Sequence, residues 1–285
     1  MTQTSARAVL ITGCSSGIGL CVAQGLKSRG YRVIATARKK ADVQRLIDDG
    51  FESLGLDLSD SASIAAALDE VLERTGNRLY ALFNNGGYGQ PGAVEDLSMK
   101  ALRAQFEVNF FGWHELTRRV LPVMRAQGEG RIIQNSSVLG FITLKYRGAY
   151  NASKFALEGL SDTLRLELQG TDIHVCLIEP GPILSRFREN AHRAFKANID
   201  AEHSFHRNAY ISLERRLADN EIEPPFTLPA SAVLKRVIHA LESSRPKPRY
   251  YVTVPTYGFG LLKRLLPTRA LDRLLIAASG AEVRH

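Results

Sequence analysis

The chain has 285 residues, which is enough for one large α/β domain or two small ones. A content of 45% hydrophobic and 23% charged residues is typical of a globular protein and excludes a disordered one. The formal net charge of +8 admits nucleic acid, an anionic membrane surface or an anionic ligand as a partner. Because the basic residues are scattered and form no long run, we expect no nucleic-acid partner.

The cysteines and the start of the chain indicate the compartment. Cys14, Cys21 and Cys176 form neither a CxxC pair nor a disulfide framework, which fits a reducing environment. Residues 1–7 are polar and resemble no signal peptide, and no apolar run is long enough to span a membrane. We therefore expect a cytoplasmic protein, and we expect no metal site because the histidines lack metal-ligand spacing.

Strand and helix patterns alternate along the first two thirds of the chain. This alternation, with short connections, predicts an α/β fold of the Rossmann-like, doubly wound kind, in which helices cover both faces of a mainly parallel sheet. Ligands bind such sheets beyond the carboxyl ends of the strands, so we expect the unusual loops that follow the strands to form the site. Strands are predicted at 8–11, 31–35, 51–56, 79–83, 131–134 and 173–178, and helices at 20–29, 42–49, 61–74, 98–127 (kinked by Pro122) and 150–169.

The last third is less regular. Residues 186–229 are polar and poorly periodic, and we interpret them as a lid of mobile helices over the ligand site. A helix at 230–242 and a seventh strand at 250–254 follow, and residues 255–285 form a basic amphipathic tail. We expect one domain over 1–285, with its cofactor and catalytic core at 8–185.

A glycine-rich loop joins the first strand to the first helix. Its spacing is Gly13-x-x-x-Gly17-x-Gly19, which differs from the G-x-G-x-x-G fingerprint. Glycines let the backbone approach a pyrophosphate, and the helix that follows offers its N-terminal NH groups to the negative charge. Cys14 lies in this loop either as a small packing residue or as a thiol whose pKa the helix lowers. The loop residues predicted to bind the cofactor are Gly13, Ser15, Ser16, Gly17, Ile18 and Gly19.

The end of the second strand selects the dinucleotide. An acidic residue there would bind the ribose 2′-hydroxyl of NAD, whereas this chain has Arg38, Lys39 and Lys40 and no acid before Asp42. Because guanidinium groups match phosphate geometry, we prefer NADP(H) over NAD(H). The alternative is an ordinary solvated basic turn. Further cofactor contacts are predicted after the third and fourth strands, at Asp57, Leu58, Asn84 and Gly86, although an Asn/Gly turn also occurs without a ligand.

Tyr150 and Lys154 are four residues apart at the start of a predicted helix, so they lie on one face. A phenol titrates near ~10, and its pKa must fall by about 3, or roughly 4 kcal/mol, to exchange a proton at neutral pH. An ammonium ~5 Å away supplies roughly 3 kcal/mol at an effective dielectric of ~20. The spacing therefore indicates a tyrosine acid/base, although the same pattern also arises by accident on a helix face.

Two further polar residues could complete a catalytic site. Ser137 ends the fifth strand, thirteen positions before Tyr150, and its hydroxyl could share a substrate carbonyl with the phenol. Asn109 lies between Val108 and Phe110 inside a long helix, where a polar side chain needs partners. It is either a satisfied core asparagine or a residue that holds a water in a proton relay to Lys154.

Together these residues resemble the short-chain dehydrogenase/reductase superfamily over roughly residues 8–185. The resemblance implies that Tyr150 donates the proton in reduction, that Lys154 lowers its pKa and binds the nicotinamide ribose, that Ser137 orients the carbonyl and that Asn109 maintains the relay. It also implies that the nicotinamide is flanked by four residues after the sixth strand. Those residues are Pro180, Gly181, Ile183 and Ser185.

Two segments, 155–160 and 177–182, are similar to the 17β-hydroxysteroid and retinol dehydrogenase branch, and the chain looks most like its bacterial NADP-dependent aldehyde/ketone reductases. Gly86 and Ser185 depart from the family pattern, which usually has Ala and Thr there. These departures leave the chemistry intact.

The sequence thus predicts an NADP(H)-dependent oxidoreductase for a small apolar carbonyl or alcohol, such as an aldehyde, a ketone, or a steroid- or retinoid-like compound. The alternative is a dinucleotide-binding redox sensor without catalysis, although such a protein would be expected to lose the phenol or the ammonium. Family analogy implies a homo-oligomer, a dimer or tetramer, through the helices at 98–127 and around Tyr150. The basic amphipathic tail could contact an anionic membrane, a partner subunit or its own domain.

Overall fold

A computed structural model describes residues 6–219 and 224–281. Seven strands form one sheet in the order β3-β2-β1-β4-β5-β6-β7, and every neighbouring pair is parallel. The prediction of a Rossmann-like α/β fold with a seven-stranded sheet is confirmed, and the sheet is parallel throughout rather than mainly so. The strands are β1 Ala8–Ile11, β2 Arg32–Ala37, β3 Glu52–Gly55, β4 Ala81–Asn84, β5 Gly130–Asn135, β6 Ile173–Glu179 and β7 Arg249–Tyr251.

Helices connect the strands and cover both faces of the sheet. Short 3-10 turns at Val94–Asp96 and Val138–Gly140 and a π-helical segment at Glu107–Phe111 complete the described structure. The helices are α1 Gly17–Ser28, α2 Lys40–Asp48, α3 Ser61–Thr75, α4 Met99–Phe106, α5 Gly112–Gln127, α6 Gly148–Glu167, α7 Phe187–Asn198, α8 Arg207–Ala218, α9 Ser231–Glu242, α10 Val254–Leu265 and α11 Thr268–Ala281.

The strands read as apolar runs because both of their faces are buried. Along β1, Val9 and Ile11 belong to the core cluster that includes Val22 of α1 and Val233 of α9. Leu10 points the other way, into the cluster that contains Trp113 of α5. Alternation of side chains along a strand therefore gives this sheet two hydrophobic cores, one on each face.

The segment predicted as helical at 98–127 is helical over 99–127, but a π-helical segment within it separates two α-helices. The interruption lies at Glu107–Phe111, and α5 runs through Pro122 without ending there. The start of α5 is tightly packed, because a Cβ on Gly112 would lie 2.0 Å from the carbonyl oxygen of Leu58. π-Helical turns occur frequently at functional sites, and this one contains Asn109.

The predicted last strand at 250–254 is shorter and begins earlier, at Arg249–Tyr251. Thr253 is the N-cap of α10, and Pro255 occupies its first turn, where proline favours a helix start. Val254 is thus helical. The predictions for residues 1–5, for 220–223 of the lid and for 282–285 of the tail lie outside the described residues.

The lid and the tail both consist of helices packed on the domain. In the lid, Phe195 of α7 and Tyr210 of α8 share a small core with Ala93, which follows β4 along the chain. In the tail, Leu275 of α11 is buried against Leu139 and Ile142, which follow β5. Both segments therefore lie against loops at the carboxyl edge of the sheet.

Candidate active site

One large cavity of about 1920 Å³ lies at the carboxyl edge of the sheet. It is lined by loops that follow β1 to β6, by the lid and by α10. A pocket for a drug-sized ligand has a volume of roughly 300–1,000 Å³. The cavity therefore has room for a dinucleotide together with a second, smaller ligand.

The glycine-rich loop forms one wall of this cavity. Gly13 and Gly17 have φ angles of 71° and 57°, which favour glycine. The loop also packs very closely on the chain after β4, since a Cβ on Gly13 would lie 2.5 Å from the Cα of Gly86. Ser16 is the N-cap of α1, but its side chain does not accept a hydrogen bond from the first backbone NH groups of that helix. These groups are therefore available to an anion in the cavity.

Gly19 differs from the other predicted residues of this loop because it does not line the cavity. It is buried, and a Cβ there would lie 2.2 Å from the carbonyl oxygen of Gly13. Its predicted contact with the cofactor is thus replaced by a packing role, in which the helix approaches its own loop. Gly13, Ser15, Ser16, Gly17 and Ile18 do line the cavity.

A hydrogen-bond network that the sequence analysis did not identify holds this loop in place. Thr12 Oγ1 accepts hydrogen bonds from the backbone NH groups of Asn85 and Gly86, at 2.8 and 2.9 Å. The Asn85 amide donates to the Gly13 carbonyl, and Asn135 donates to Asn85 Oδ1 at 2.9 Å. The carboxyl ends of β1, β4 and β5 are therefore tied together under the cavity floor.

Asn84 was predicted to bind the cofactor, and the structure places it elsewhere. Its side chain is buried beneath α5, where it donates to Thr117 Oγ1 at 3.1 Å and to Gln134 Oε1 at 3.0 Å. Successive side chains of a strand point to opposite faces, so Asn84 faces the helices while Asn85 faces the glycine-rich loop. Asn85 and Gly86 line the cavity in its place.

The basic turn after β2 borders the cavity. Arg38 and Lys39 are exposed and line it, and no carboxylate within 6–219 and 224–281 forms a salt bridge with Arg38. The first acid beyond the turn, Asp42, is held by Arg45 at 3.1 Å. Arg45 also donates to the carbonyl oxygen of Ser15 at 2.6 Å. The turn therefore presents positive charge to the cavity, while its nearest acid is neutralised.

Asp57 and Leu58, which follow β3, also line the cavity. Asp57 Oδ1 accepts hydrogen bonds from the backbone NH and the hydroxyl of Ser59, at 3.0 and 2.7 Å. One carboxylate oxygen therefore fixes the turn, and no protein donor is found for the other within the described residues.

Tyr150 and Ser137 meet at the base of the cavity. Both residues line the cavity, and Ser137 Oγ accepts a hydrogen bond from the backbone NH of Leu139 at 3.1 Å. The ring of Phe187 from the lid packs edge-on against Tyr150, with 5.3 Å between centroids. Burial raises the pKa of Tyr150 to about 12, although Ser137 and the charge of Arg147 act in the opposite direction.

Lys154 lies beneath Tyr150, one turn along α6. Its ammonium donates to the carbonyl oxygen of Asn135 at 2.8 Å and lies 4.1 Å from the centroid of Trp113. The Lys154 nitrogen is 5.8 Å from the centroid of the Tyr150 ring. Burial lowers the pKa of Lys154 to about 7, against the opposing charge of Glu158.

Burial acts on both groups in addition to their charges. The spacing predicted an ammonium near the phenol, as the structure has it, but only the attraction between the two charges was included in the expected pKa. Desolvation disfavours the charged form of each group, so it raises the pKa of Tyr150 and lowers that of Lys154. In these surroundings Tyr150 keeps its proton through neutral pH.

Asn109 lines the cavity from the π-helical segment. Both polar atoms of its amide bond the backbone of Tyr88: Oδ1 accepts from the NH at 3.1 Å, and Nδ2 donates to the carbonyl at 2.8 Å. This is the pattern of a satisfied core asparagine. One amide hydrogen and one lone pair are left over, so the water relay stays a prediction.

The residues after β6 form a further wall of the cavity, beside the glycine-rich loop, since a Cβ on Gly17 would lie 3.0 Å from Cβ of Ser185. Gly181 packs against Thr253, where a Cβ would lie 2.2 Å from Oγ1. The carbonyl oxygen of Pro180 accepts from the NH of Val138 at 2.8 Å, which joins this wall to the Ser137 segment. Pro180, Gly181, Ile183 and Ser185 all line the cavity, and their contact with the nicotinamide stays a prediction.

Some features of the described residues lie apart from this chemistry. Cys14 is buried, donates to the carbonyl of Ile11 at 3.3 Å, and has a pKa raised by burial to about 12, so it is a packing residue.

In the described part of the chain, no group of His, Cys, Asp and Glu side chains is arranged to hold a metal ion. Across 6–219 and 224–281, every helix is too short or too polar to cross a bilayer.

Comparison with known proteins agrees with this geometry. Residues 7–195 match the family described as short chain dehydrogenase. The chain is 45% identical over 269 residues to the uncharacterized oxidoreductase YbbO of Escherichia coli, covering 94% of each chain. It is 34% identical to human 17-beta-hydroxysteroid dehydrogenase type 1, covering 86% of this chain and 77% of that protein.

A crystal structure of a short-chain dehydrogenase from Streptomyces avermitilis superposes with a TM-score of 0.74. The two are 28% identical, and the alignment covers 93% of this chain and 94% of the other. The chain therefore belongs to the short chain dehydrogenase family. It is an oxidoreductase that uses a nicotinamide dinucleotide.

Proposed function

We propose that the protein transfers hydride between NADP(H) and an apolar aldehyde or ketone, or the corresponding alcohol. The observation that carries this proposal is that Ser137, Tyr150 and Lys154 line one cavity together with a glycine-rich loop, with Ser137 and Lys154 buried and Tyr150 half-buried. The bound dinucleotide would supply or accept the hydride. The protein supplies the proton and orients the carbonyl.

The residues of the cavity fit a dinucleotide. The uncapped start of α1 and the tight glycine contacts suit a pyrophosphate. Arg38 supports the 2′-phosphate of NADP(H), because it borders the cavity without an acidic partner among the described residues. Asp57 and Leu58 would hold the base, and Lys154 with the residues after β6 would hold the nicotinamide end.

The proton moves between Tyr150 and the substrate oxygen. In reduction, hydride adds to the carbonyl carbon while the phenol gives its proton to the oxygen, and Ser137 donates a hydrogen bond to the same oxygen. A phenol whose pKa is raised to about 12 holds its proton until negative charge develops beside it. The ammonium of Lys154 then stabilises the phenolate that is left.

The part of the cavity beside Tyr150 is lined by apolar side chains, which favours an apolar substrate. Leu139, Ile142, Leu144 and Phe259 border the cavity beside Tyr150. The lid, residues 186–229, adds Phe187 and other cavity-lining side chains, so we propose that it covers the substrate. The similarity to a human hydroxysteroid dehydrogenase supports placing the chain in the hydroxysteroid and retinol dehydrogenase branch.

We further propose a homo-oligomer through α4, α5 and α6. Phe111 and Phe155 are exposed large side chains in this region, and an interface would bury them. The mass of the purified protein in solution tests this proposal, and a monomer would exclude it.

The central test is NADPH oxidation with a panel of aldehydes and ketones, in the parent and in Tyr150→Phe. We expect Tyr150→Phe to lose at least about a hundredfold in kcat, because the phenol proton is the general acid. Tyr31→Phe, on the far side of α1, is the matched control and should leave kcat unchanged. Equal activity of parent and Tyr150→Phe would exclude this mechanism, and tight NADPH binding without turnover on any carbonyl would favour the redox sensor.

A further inference from the structure

An exposed apolar strip runs along α10. It consists of Val254, Tyr257, Leu261 and Leu265, and three of these are among the most exposed apolar residues of the chain, at 65%, 59% and 69% for Val254, Leu261 and Leu265. Their spacing of three and four residues places them on one side of the helix. An exposed apolar face of this kind marks an interaction surface.

The other sides of α10 already have partners. Thr256 and Gly260 are buried against the domain, and a Cβ on Gly260 would lie 2.7 Å from the ring of Tyr251. Phe259 and Leu262 line the cavity. The helix is thus a wall between the cavity and the outside, and the apolar strip is its outer surface.

The strip joins the mouth of the cavity. Val254 belongs to the strip and also lines the cavity. Leu184 and Phe226 likewise line the cavity and are exposed, so the rim itself is apolar. A ligand that enters the cavity between these residues therefore comes from the same surface of the protein on which the strip lies.

Positive charge flanks the strip. Between 254 and 281 the chain has Lys263, Arg264, Arg269 and Arg273 against the single acid Asp272, so this segment has a net charge of 4 − 1 = +3. Lys263 donates to the carbonyl oxygen of Phe141. The three arginines are exposed, and none of them forms a salt bridge with another described residue.

We propose that the strip and the cavity mouth dock on the surface of an anionic phospholipid bilayer, with α10 lying in the interface and Arg264 and Arg269 at the headgroup phosphates. An apolar helix face flanked by arginines is the arrangement that binds such surfaces. A second copy of the chain fits less well, because a symmetric contact would bring two segments of charge +3 together. If the proposed function holds, an apolar substrate enters the cavity directly from the lipid.

Docking predicts a direct binding result that needs no turnover. The full chain should sediment at low salt with phosphatidylcholine vesicles that contain phosphatidylserine, and at least about tenfold more weakly with phosphatidylcholine alone. Leu261→Glu combined with Leu265→Glu should weaken binding by at least about tenfold, since both side chains would leave the lipid. Arg264→Gln and Arg269→Gln should each weaken it by about fivefold and reduce its salt dependence.

Ile47→Glu is the matched control. Ile47 is 45% exposed on α2, beside the opposite edge of the sheet, and its replacement should not change vesicle binding. Thermal unfolding of each variant shows whether the fold is retained, and exposed positions are expected to tolerate the change.

Three results would overturn the proposal. Equal binding to the two lipid mixtures would show that the arginines do not contact lipid phosphates. Unchanged binding of the double leucine variant would show that the strip does not contact the bilayer. A parent oligomer that the double substitution splits, without any vesicle binding, would show that the strip is a subunit interface. A catalytically inactive protein that still binds vesicles would contradict the proposed function and leave the docking intact.

Discussion

The buried carboxyl groups below Lys154 give a prediction about the stability of the fold. Glu158 lies one turn after Lys154 on α6, and Glu179 ends β6; both are buried. Arg249 donates to Glu158, Glu179 and Asp162, at 3.1, 3.1 and 2.6 Å. Glu179 Oε2 has no hydrogen-bond partner when the carboxyl is ionised, and it lies within reach of Glu158. A proton on Glu179 would satisfy both groups.

The magnitude follows from proton linkage. Burial, with the neighbouring charge of Glu158, raises the pKa of Glu179 to about 9. A glutamate in an unfolded chain titrates near ~4.3, so between these values the folded state holds a proton that the unfolded state releases. The free energy of unfolding then falls as pH rises, by about 1.4 kcal/mol per pH unit. Between about pH 6 and pH 8 this group therefore lowers the free energy of unfolding by about 3 kcal/mol.

The perturbation is Glu179→Gln, which keeps the shape of the side chain and an oxygen for Arg249. Urea unfolding of parent and variant at the two pH values measures the difference in the free energy of unfolding. We expect this difference to shift in favour of the variant by about 3 kcal/mol between about pH 6 and pH 8. The lowered pKa of Lys154 acts with the opposite sign above neutral pH, but it is common to both proteins and cancels in the comparison.

Glu52→Gln is the matched control. Arg32 donates to both oxygens of Glu52 and holds the pKa of that carboxyl below its usual range, so Glu52 is ionised at both pH values. Its effect on stability should therefore be the same at both. If the effect of Glu179→Gln is also independent of pH, Glu179 is ionised in the folded protein and the reasoning fails.

Two further predictions concern the cofactor. Lys154→Met should lose both turnover and NADPH affinity if the ammonium stabilises the phenolate and also holds the ribose; retained affinity in a fluorescence titration would leave only the electrostatic role. Arg38→Ser should weaken NADPH binding by about 10- to 100-fold, as expected for the loss of a charged hydrogen bond, and leave NADH binding unchanged. Lys40→Ser removes a charge from the same turn at a residue that does not line the cavity, so a similar loss there would mean that only the net charge matters.

The fold was predictable because its signals are local. Each buried strand is a short apolar run, and each loop of unusual composition follows such a run. Parallel topology then brings the loops to one edge without any knowledge of contacts. This is why Ser137, Tyr150 and Arg38, which are far apart in the sequence, could be assigned to one site.

The features that sequence reasoning missed depend on side-chain direction and on burial. Asn84 and Asn85 are equivalent in composition, and only the pleat of β4 decides which of them reaches the glycine-rich loop. The π-helical turn at Asn109 has no compositional signal, since the helical periodicity continues on both sides of it. The alternation of side chains along a strand could have suggested the first of these, whereas nothing in the residue pattern marks the second.

Burial reverses the pKa shift that was expected for Tyr150 from its neighbour Lys154. Charge attraction alone would move the pKa of the phenol towards neutrality, but the structure raises it to about 12 and lowers that of Lys154 to about 7. A phenol in this state is suited to give a proton to an oxygen on which charge is developing, and poorly suited to take one from an alcohol. Since the ammonium that would stabilise the phenolate is lost as the pH rises through about 7, its support is strongest in slightly acidic solution. Both shifts therefore favour a protonated phenol beside a partly protonated amine at neutral pH, which attraction between the two charges alone would not give.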